Sequence, residues 1–233
     1  MSTIDLTKYL GKLDLSGYKV NNELDSSIFK GIERRVWAEL LREYVPETKY
    51  QLPKDRDARV LSVGCGSCPE ALSLNQYFGK SKRVGRDSLD GVDFIGVDID
   101  GKAIERARFD YQMPDWNSRP IEWVPEPGYT FIPGDATRIQ DLVQGRFDVV
   151  VYAHPEILHR ENIWAGIFNQ VANLQQSGDL LIATLRLPEE KETALKSLQP
   201  PYHIRVATEN KHMQTGYSPQ DERHKFVVMG IRK

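Results

Sequence analysis

Apolar residues fall at every fourth position from Leu24 onward: Leu24, Ile28, Ile32, Val36, Leu40 and Tyr44. Phe29, Trp37 and Leu41 widen the stripe. That period puts the apolar side chains on one face of a helix. The pattern therefore predicts an amphipathic helix, started near Asp25-Ser26-Ser27 and stopped by Pro46. The first 23 residues are polar and weakly patterned, and read as a loose arm. A polar linker leads to Asp57. The segment 1–56 thus reads as an arm with a cap helix, and 57–233 as the main domain.

Beyond Asp57, short apolar runs alternate with helical patterns. Strands are predicted at Val60–Val63, Phe94–Val97, Tyr129–Ile132, Phe147–Tyr152, Leu180–Leu185, Tyr202–Thr208 and Lys225–Ile231. Helices are predicted at Pro69–Phe78, Lys102–Tyr111, Glu161–Gln175 and Glu189–Leu198. Apolar strands alternating with helices indicate an α/β fold, a parallel sheet covered on both faces. The last two strands have no helix between them, which predicts an antiparallel pair at the sheet edge.

Composition narrows the function classes. Of 233 residues, 40% are hydrophobic and 27% charged, too apolar for a disordered chain. A net charge of −2 gives no general pull towards nucleic acid or anionic membrane, and no basic run is interleaved with aromatics as single-strand binders require. No run approaches the roughly 18 apolar residues of a membrane span. The start shows no basic segment followed by an apolar core, so a cytoplasmic protein is expected. Cys65 and Cys68 are too few for a disulfide scaffold. With no second cysteine pair and no H-x-x-x-H spacing, no metal site is expected.

The most informative segment runs Val60-Leu61-Ser62-Val63-Gly64-Cys65-Gly66-Ser67-Cys68-Pro69-Glu70. A buried strand enters a glycine turn that opens a helix, and ligands of parallel sheets bind at such strand ends. Gly64 and Gly66 permit a sharp bend and close approach of a ligand. Ser67 and Glu70 have the spacing of a capping box. Three ligand readings compete. A dinucleotide fingerprint needs a third glycine where Pro69 stands. Cys65-Gly66-Ser67-Cys68 has redox-pair spacing. The third reading is a nucleoside cofactor of another kind. Asp98, at the tip of the second strand, is placed to accept from both ribose hydroxyls. Asp135, at the tip of the third, is placed to accept from the exocyclic amine of adenine.

Together these motifs resemble those of the class I S-adenosylmethionine-dependent methyltransferases, from about Asp57 to the C-terminus. VGCGSCPE is similar to the family's first motif, GVDID to its second acidic strand end, and PGDAT to its adenine-contacting turn. FDVVVYAHPEIL is similar to its fourth strand. The resemblance implies a doubly wound, seven-stranded, mostly parallel sheet with an antiparallel last strand, and S-adenosylmethionine as cofactor. By the same resemblance, Gly64, Cys65 and Gly66 would flank the methionine part and Asp98 would bind the ribose. Ile99 would pack on the adenine, Asp135 and Ala136 would read its edge, and Tyr152 and Ala153 would line the cleft beside the sulfonium. The family often has an acid two residues before the first glycine; Ser62 stands there. The interval from Gly66 to Asp98 is lengthened by a polar insertion with the basic run Lys80–Arg86.

Methyl transfer from a sulfonium is an in-line displacement that needs a base only when the nucleophile must lose a proton. Histidine as a residue type titrates near neutrality, so His154, with Glu156 two residues on, gives the catalytic candidates. Their bland alternative is a structural turn before the next helix. His159, His203, His212 and His224 read as surface or packing residues. The cap helix reads equally as a lid over the cleft or as packing on the sheet flank. By the same resemblance, amino methylation of bases or glutamine would call for an Asn-Pro-Pro-Tyr type element; the chain lacks one, so a small-molecule methyl acceptor is favoured. A non-catalytic cofactor-binding module and a nicotinamide oxidoreductase are the alternatives.

Overall fold

A computed structural model describes residues 22–54, 56–79, 92–112, 128–158, 160–214 and 224–233, with side chains of the first helix described from Glu33 onward. The polar arm, the start of the apolar stripe, the basic run Lys80–Arg86 and His159 lie outside the described residues or side chains.

In chain order the elements are α1 (Asn22–Thr48), β1 (Arg59–Val63), α2 (Ala71–Phe78), β2 (Asp93–Asp98), α3 (Gly101–Gln112) and β3 (Tyr129–Pro133). A 3-10 turn (Ala136–Arg138) leads into α4 (Ile139–Leu142). There follow β4 (Val149–Ala153), α5 (Glu161–Ala172), β5 (Leu180–Leu185), α6 (Pro188–Leu198), β6 (Tyr202–Glu209) and β7 (Phe226–Arg232). The seven strands form one sheet in the order β3-β2-β1-β4-β5-β7-β6. Pairings among β1 to β5 are parallel, and β7 runs antiparallel to both β5 and β6. The antiparallel pair is as expected, but β7 is inserted inside and β6 forms the edge. The strand order reverses between β1 and β4, so a crevice opens above their carboxyl ends, where ligands of doubly wound sheets bind.

The two-residue period of the strands divides the core cleanly. Val60, Val149, Val151, Leu180 and Ile182 face one side, packed against α1, α2 and α3. Leu61, Val63, Val150, Leu181 and Ala183 face the other, packed against α5 and α6. Four central strands are almost wholly inaccessible, which is why their sequences are continuous apolar runs rather than alternating ones.

Helix α1 continues through Pro46, contrary to the expected stop, and ends at Thr48, just before Lys49, whose φ of +61° is left-handed. Proline in a last turn removes one helical hydrogen bond without preventing the turn. The Thr48 hydroxyl donates to the Val45 carbonyl at 2.7 Å and helps close the end. The face bearing Val36, Trp37, Leu40, Leu41 and Tyr44 is buried on the sheet flank. Ser73 Oγ donates to the Arg34 carbonyl at 2.8 Å, tying α1 to α2. No described helix is long and apolar enough to cross a membrane.

Candidate functional site

Above the carboxyl ends of β1, β2 and β4 lies a cavity of about 680 Å³, walled by the glycine turn, Asp98, Ile99, the Asp135 turn and the segment Ala153–Glu156. That volume lies in the range of small-molecule sites.

The glycine turn is built by left-handed backbone. Gly64 has φ +68° and Gly66 φ +55°, angles that cost little only without a Cβ. Gly64 N–H donates to the Val97 carbonyl at 2.8 Å, holding the turn against the end of β2. Gly66 N–H donates to Asp98 Oδ2 at 2.7 Å, and the backbone N–H of Asp100 donates to Oδ1 at 2.7 Å. One carboxylate thus organises both the loop after β1 and the loop after β2. Its oxygens offer about four lone-pair sites in all, so acceptor capacity remains for a ligand. Tyr111 on α3 donates to the Cys68 carbonyl at 2.7 Å and steadies the turn from behind.

Cys65 and Cys68 are joined by a disulfide, with Cα atoms 4.8 Å apart. The composition had suggested no disulfide framework, and this bond is a local staple within the turn. Gly96 makes room for it: a Cβ there would lie 2.7 Å from Cys68 Sγ. The expected capping box is replaced by another arrangement. Helix α2 begins at Ala71, and the Glu70 side chain makes no cap bond. Glu70 is fully buried instead, its Oε1 accepting from Ser62 Oγ at 2.6 Å. An acid therefore does stand beside Ser62, supplied from eight residues later in the chain. Burial pushes the Glu70 carboxyl up to about 7, against the lowering effect of the Ser62 hydroxyl, and the charges of Glu33 and Asp98 raise it further.

Ile99 is 76% exposed at the cavity wall, an unusual place for a large apolar side chain and a surface on which a flat apolar ring would stack. Asp135 caps the 3-10 turn: its Oδ1 accepts from Thr137 N–H at 2.9 Å, and that bond lowers its carboxyl below the ordinary range. Ala136 lines the cavity beside it. Ala153, His154 and Glu156 also line it, so the structure brings together the loop residues expected from sequence.

Tyr152 is the exception: it does not line the cavity as the resemblance implies. Successive strand residues face opposite sides, and Tyr152 belongs to the inner face, wholly buried against Phe168 and Trp164 rather than lining the cleft. Its hydroxyl has no hydrogen-bond partner among the described residues, and burial holds it protonated far above the usual tyrosine range. Its ring instead supports Trp164, which does line the cavity and sits 3.5 Å from where a Cβ on Gly64 would be. Sequence reasoning also missed Glu33, Arg160, Arg186 and Glu190 in the wall. Trp164 shares the apolar face of its helix with Ile167 and Phe168, which is the signal of a packing residue, and the others carry no local signal.

His154 has φ +56°, uncommon for a non-glycine residue, with its N–H donating to the Thr184 carbonyl at 3.1 Å. Its ring lies 4.0 Å, centroid to centroid, from that of His224, which is buried, not on the surface. Glu33 of α1 reaches the same place. One ligand-type atom from each of Glu33, His154 and His224 lies within 4.8 Å of the other two. The local spacing that argued against a metal site could not register three residues from three separate elements.

No protein-family model and no curated protein matches the chain. Solved structures do match it by shape. DesVI of Streptomyces venezuelae superposes with a TM-score of 0.60 at 10% identity, covering 93% of this chain and 100% of that one. Magnesium protoporphyrin IX methyltransferase of Synechocystis PCC 6803, solved with bound S-adenosylmethionine, gives a TM-score of 0.57 at 13% identity, covering 93% and 86%. A putative rRNA methylase of Clostridium thermocellum gives 0.54 at 14%, covering 92% and 98%. The chain has the Rossmann-like fold of the class I S-adenosylmethionine-dependent methyltransferases.

Proposed function

We propose that the chain binds S-adenosylmethionine in this cavity and transfers its methyl group to a small-molecule acceptor. The observation that carries the reading is Asp98. Its carboxylate is held by Gly66 N–H at the cavity wall, with the exposed apolar Ile99 as its neighbour. A polar acceptor beside an apolar platform suits a ribose joined to a flat base, and bare glycine backbone suits the tail of the cofactor. Under this reading Gly64, Cys65 and Gly66 flank the methionine moiety, Asp98 takes the ribose hydroxyls, Ile99 packs on the adenine, and Asp135 and Ala136 meet its edge. Ala153 borders the reacting centre.

The cofactor would supply an activated methyl group, so the protein's task is to orient the acceptor and manage one proton. His154 and Glu156, at the mouth of the wall formed after β4, are the groups able to take that proton. Residues 57–233 carry the donor site, while the cap segment 1–56 contributes Glu33 to its rim.

The shape neighbours are named for substrates as different as a porphyrin and an rRNA, so the fold does not choose the acceptor. The near-neutral charge favours a small molecule. Calorimetry with S-adenosylmethionine tests the donor site, and absence of binding at high cofactor concentration refutes it. Formation of S-adenosylhomocysteine with cell extract separates a transferase from a non-catalytic binding module.

A further inference from the structure

We propose that Glu33, His154 and His224 form a binding site for a divalent transition cation, zinc being the best chemical match, at the acceptor end of the cavity. The inference deepens the methyl-transfer reading and rests on it for the ion's catalytic role, though not for the ion's binding.

Three features of the cluster carry it. First, the donor set is two imidazoles and one carboxylate, borderline ligands that suit zinc and its neighbours better than calcium or magnesium. Second, the three ligand atoms already lie within 4.8 Å of one another. In a tetrahedral site with ligands at about 2.1 Å, ligand atoms sit roughly 3.4 Å apart, so binding needs an inward movement of up to about 1.4 Å. Third, Glu33 and His154 face the cavity while His224 is buried behind them. Three protein ligands with an open side towards a substrate cavity are what a catalytic zinc site has, in contrast to a closed structural one.

The surroundings favour a cation. The Trp37 indole packs edge-on to His224, with centroids 5.3 Å apart, and fixes the ring from the helix that also supplies Glu33. Glu33 and Asp98 are both near enough to raise the carboxyl of Glu70. Glu156 and Glu190 add further acid to a wall in which Arg160 and Arg186 are the described basic groups. The left-handed backbone at His154 turns its side chain aside from the direction the strand would give it.

The ion would select a hydroxyl-bearing acceptor. Coordination of the acceptor oxygen at the open position would lower the pKa of its proton, which would pass to solvent. An oxygen lone pair then forms the bond to the methyl carbon. The carbon–sulfur bond breaks, and its electron pair stays on sulfur as a neutral thioether. Atoms and charge balance without another reactant. His154 would then be a ligand and not a proton acceptor.

The test uses the full chain, free of affinity tags and stripped with chelator. Cobalt(II) is titrated while visible ligand-field bands are followed, and zinc is titrated by calorimetry. One equivalent should bind, and Glu33→Gln and His224→Gln should each weaken binding by about 100-fold or more, beyond the usual cost of losing an outer-shell partner. Circular dichroism checks folding. If the buried His224 variant does not fold, the partly exposed Glu33 variant decides alone. Absence of bands and heat in the wild type, or binding unchanged in a folded variant, overturns the site. S-adenosylmethionine titrated into the stripped protein separates the two readings. Cofactor binding without cobalt binding refutes the metal and leaves the donor site standing, whereas cobalt binding without cofactor binding does the reverse.

Discussion

Replacement of Asp98 by alanine should weaken S-adenosylmethionine binding by about 10- to 150-fold. In the structure the carboxylate accepts from Gly66 N–H at 2.7 Å and from Asp100 N–H at 2.7 Å. Under the proposed function it also receives ribose hydroxyls. Hydrogen bonds to a charged group contribute roughly 1.5–3 kcal/mol each, and loss of the acceptor leaves buried ribose donors unmet. The loop bonds can be replaced by water when the cavity is open, so the net loss on binding corresponds to about one such bond. At about 1.4 kcal/mol per tenfold, that gives the stated range. Asp98→Asn separates the contributions. An amide oxygen can still accept from Gly66, but the second oxygen becomes a donor, so the affinity should fall between wild type and alanine. Titration calorimetry measures both, with a melting curve confirming that the fold survives. Alanine-variant affinity within about twofold of wild type would refute the assignment of Asp98 to the ribose.

Glu70→Gln should remove a pH dependence. The folded state holds this carboxyl at about 7 against an ordinary 4.5, so the folded chain binds the extra proton between those values. Its contribution to stability is present below the unfolded pKa and is lost as pH rises towards 7, by roughly 3 kcal/mol at most. Denaturant midpoints at pH 5 and pH 8 should show Glu70→Gln gaining on wild type at the higher pH, and equal differences at both would exclude the buried proton. Tyr152→Phe removes a buried hydroxyl without a described partner. It should stabilise the protein by about 1 kcal/mol and leave cofactor affinity unchanged, whereas lost cofactor binding would return Tyr152 to the cleft. The Cys65–Cys68 bond closes a short loop. A chain-entropy view assigns it about 2 kcal/mol, so reduction should lower the melting temperature by roughly 4–8 °C. A double alanine variant should be indifferent to reductant, and a wild type equally indifferent would mean the bond contributes nothing.

What the sequence made legible follows physical locality. The β1 turn, Asp98 and Asp135 could be read because strand, glycine and acid are neighbours in the chain, and each motif folds within its own βα unit. Strand parity was available too. Val149 and Val151 face one side and Tyr152 the other, but the motif comparison outweighed that alternation and put Tyr152 in the cleft. The spacing of Ser67 and Glu70 is that of a helix cap, and only the tertiary fold brings the Glu70 carboxyl to Ser62 instead. The meeting of Glu33, His154 and His224 was beyond reach, since it depends on how α1 lies across the sheet and where β7 enters it. Pro46 misled because a proline near a helix end removes a bond that fraying had already made dispensable.

At the amino ends of the strands, remote from the cavity, Arg56 grips Asp148 through two contacts of 2.6 Å, and Asp148 also accepts from the backbone N–H of Arg59. Arg146 bridges onward to Asp179, at the start of β5. This clasp fastens the beginnings of β1, β4 and β5 while the opposite ends of β1 and β4 frame the cavity. Engineering for durability and engineering for new acceptors therefore have separate addresses on this molecule, and changes made at one end need not be renegotiated at the other.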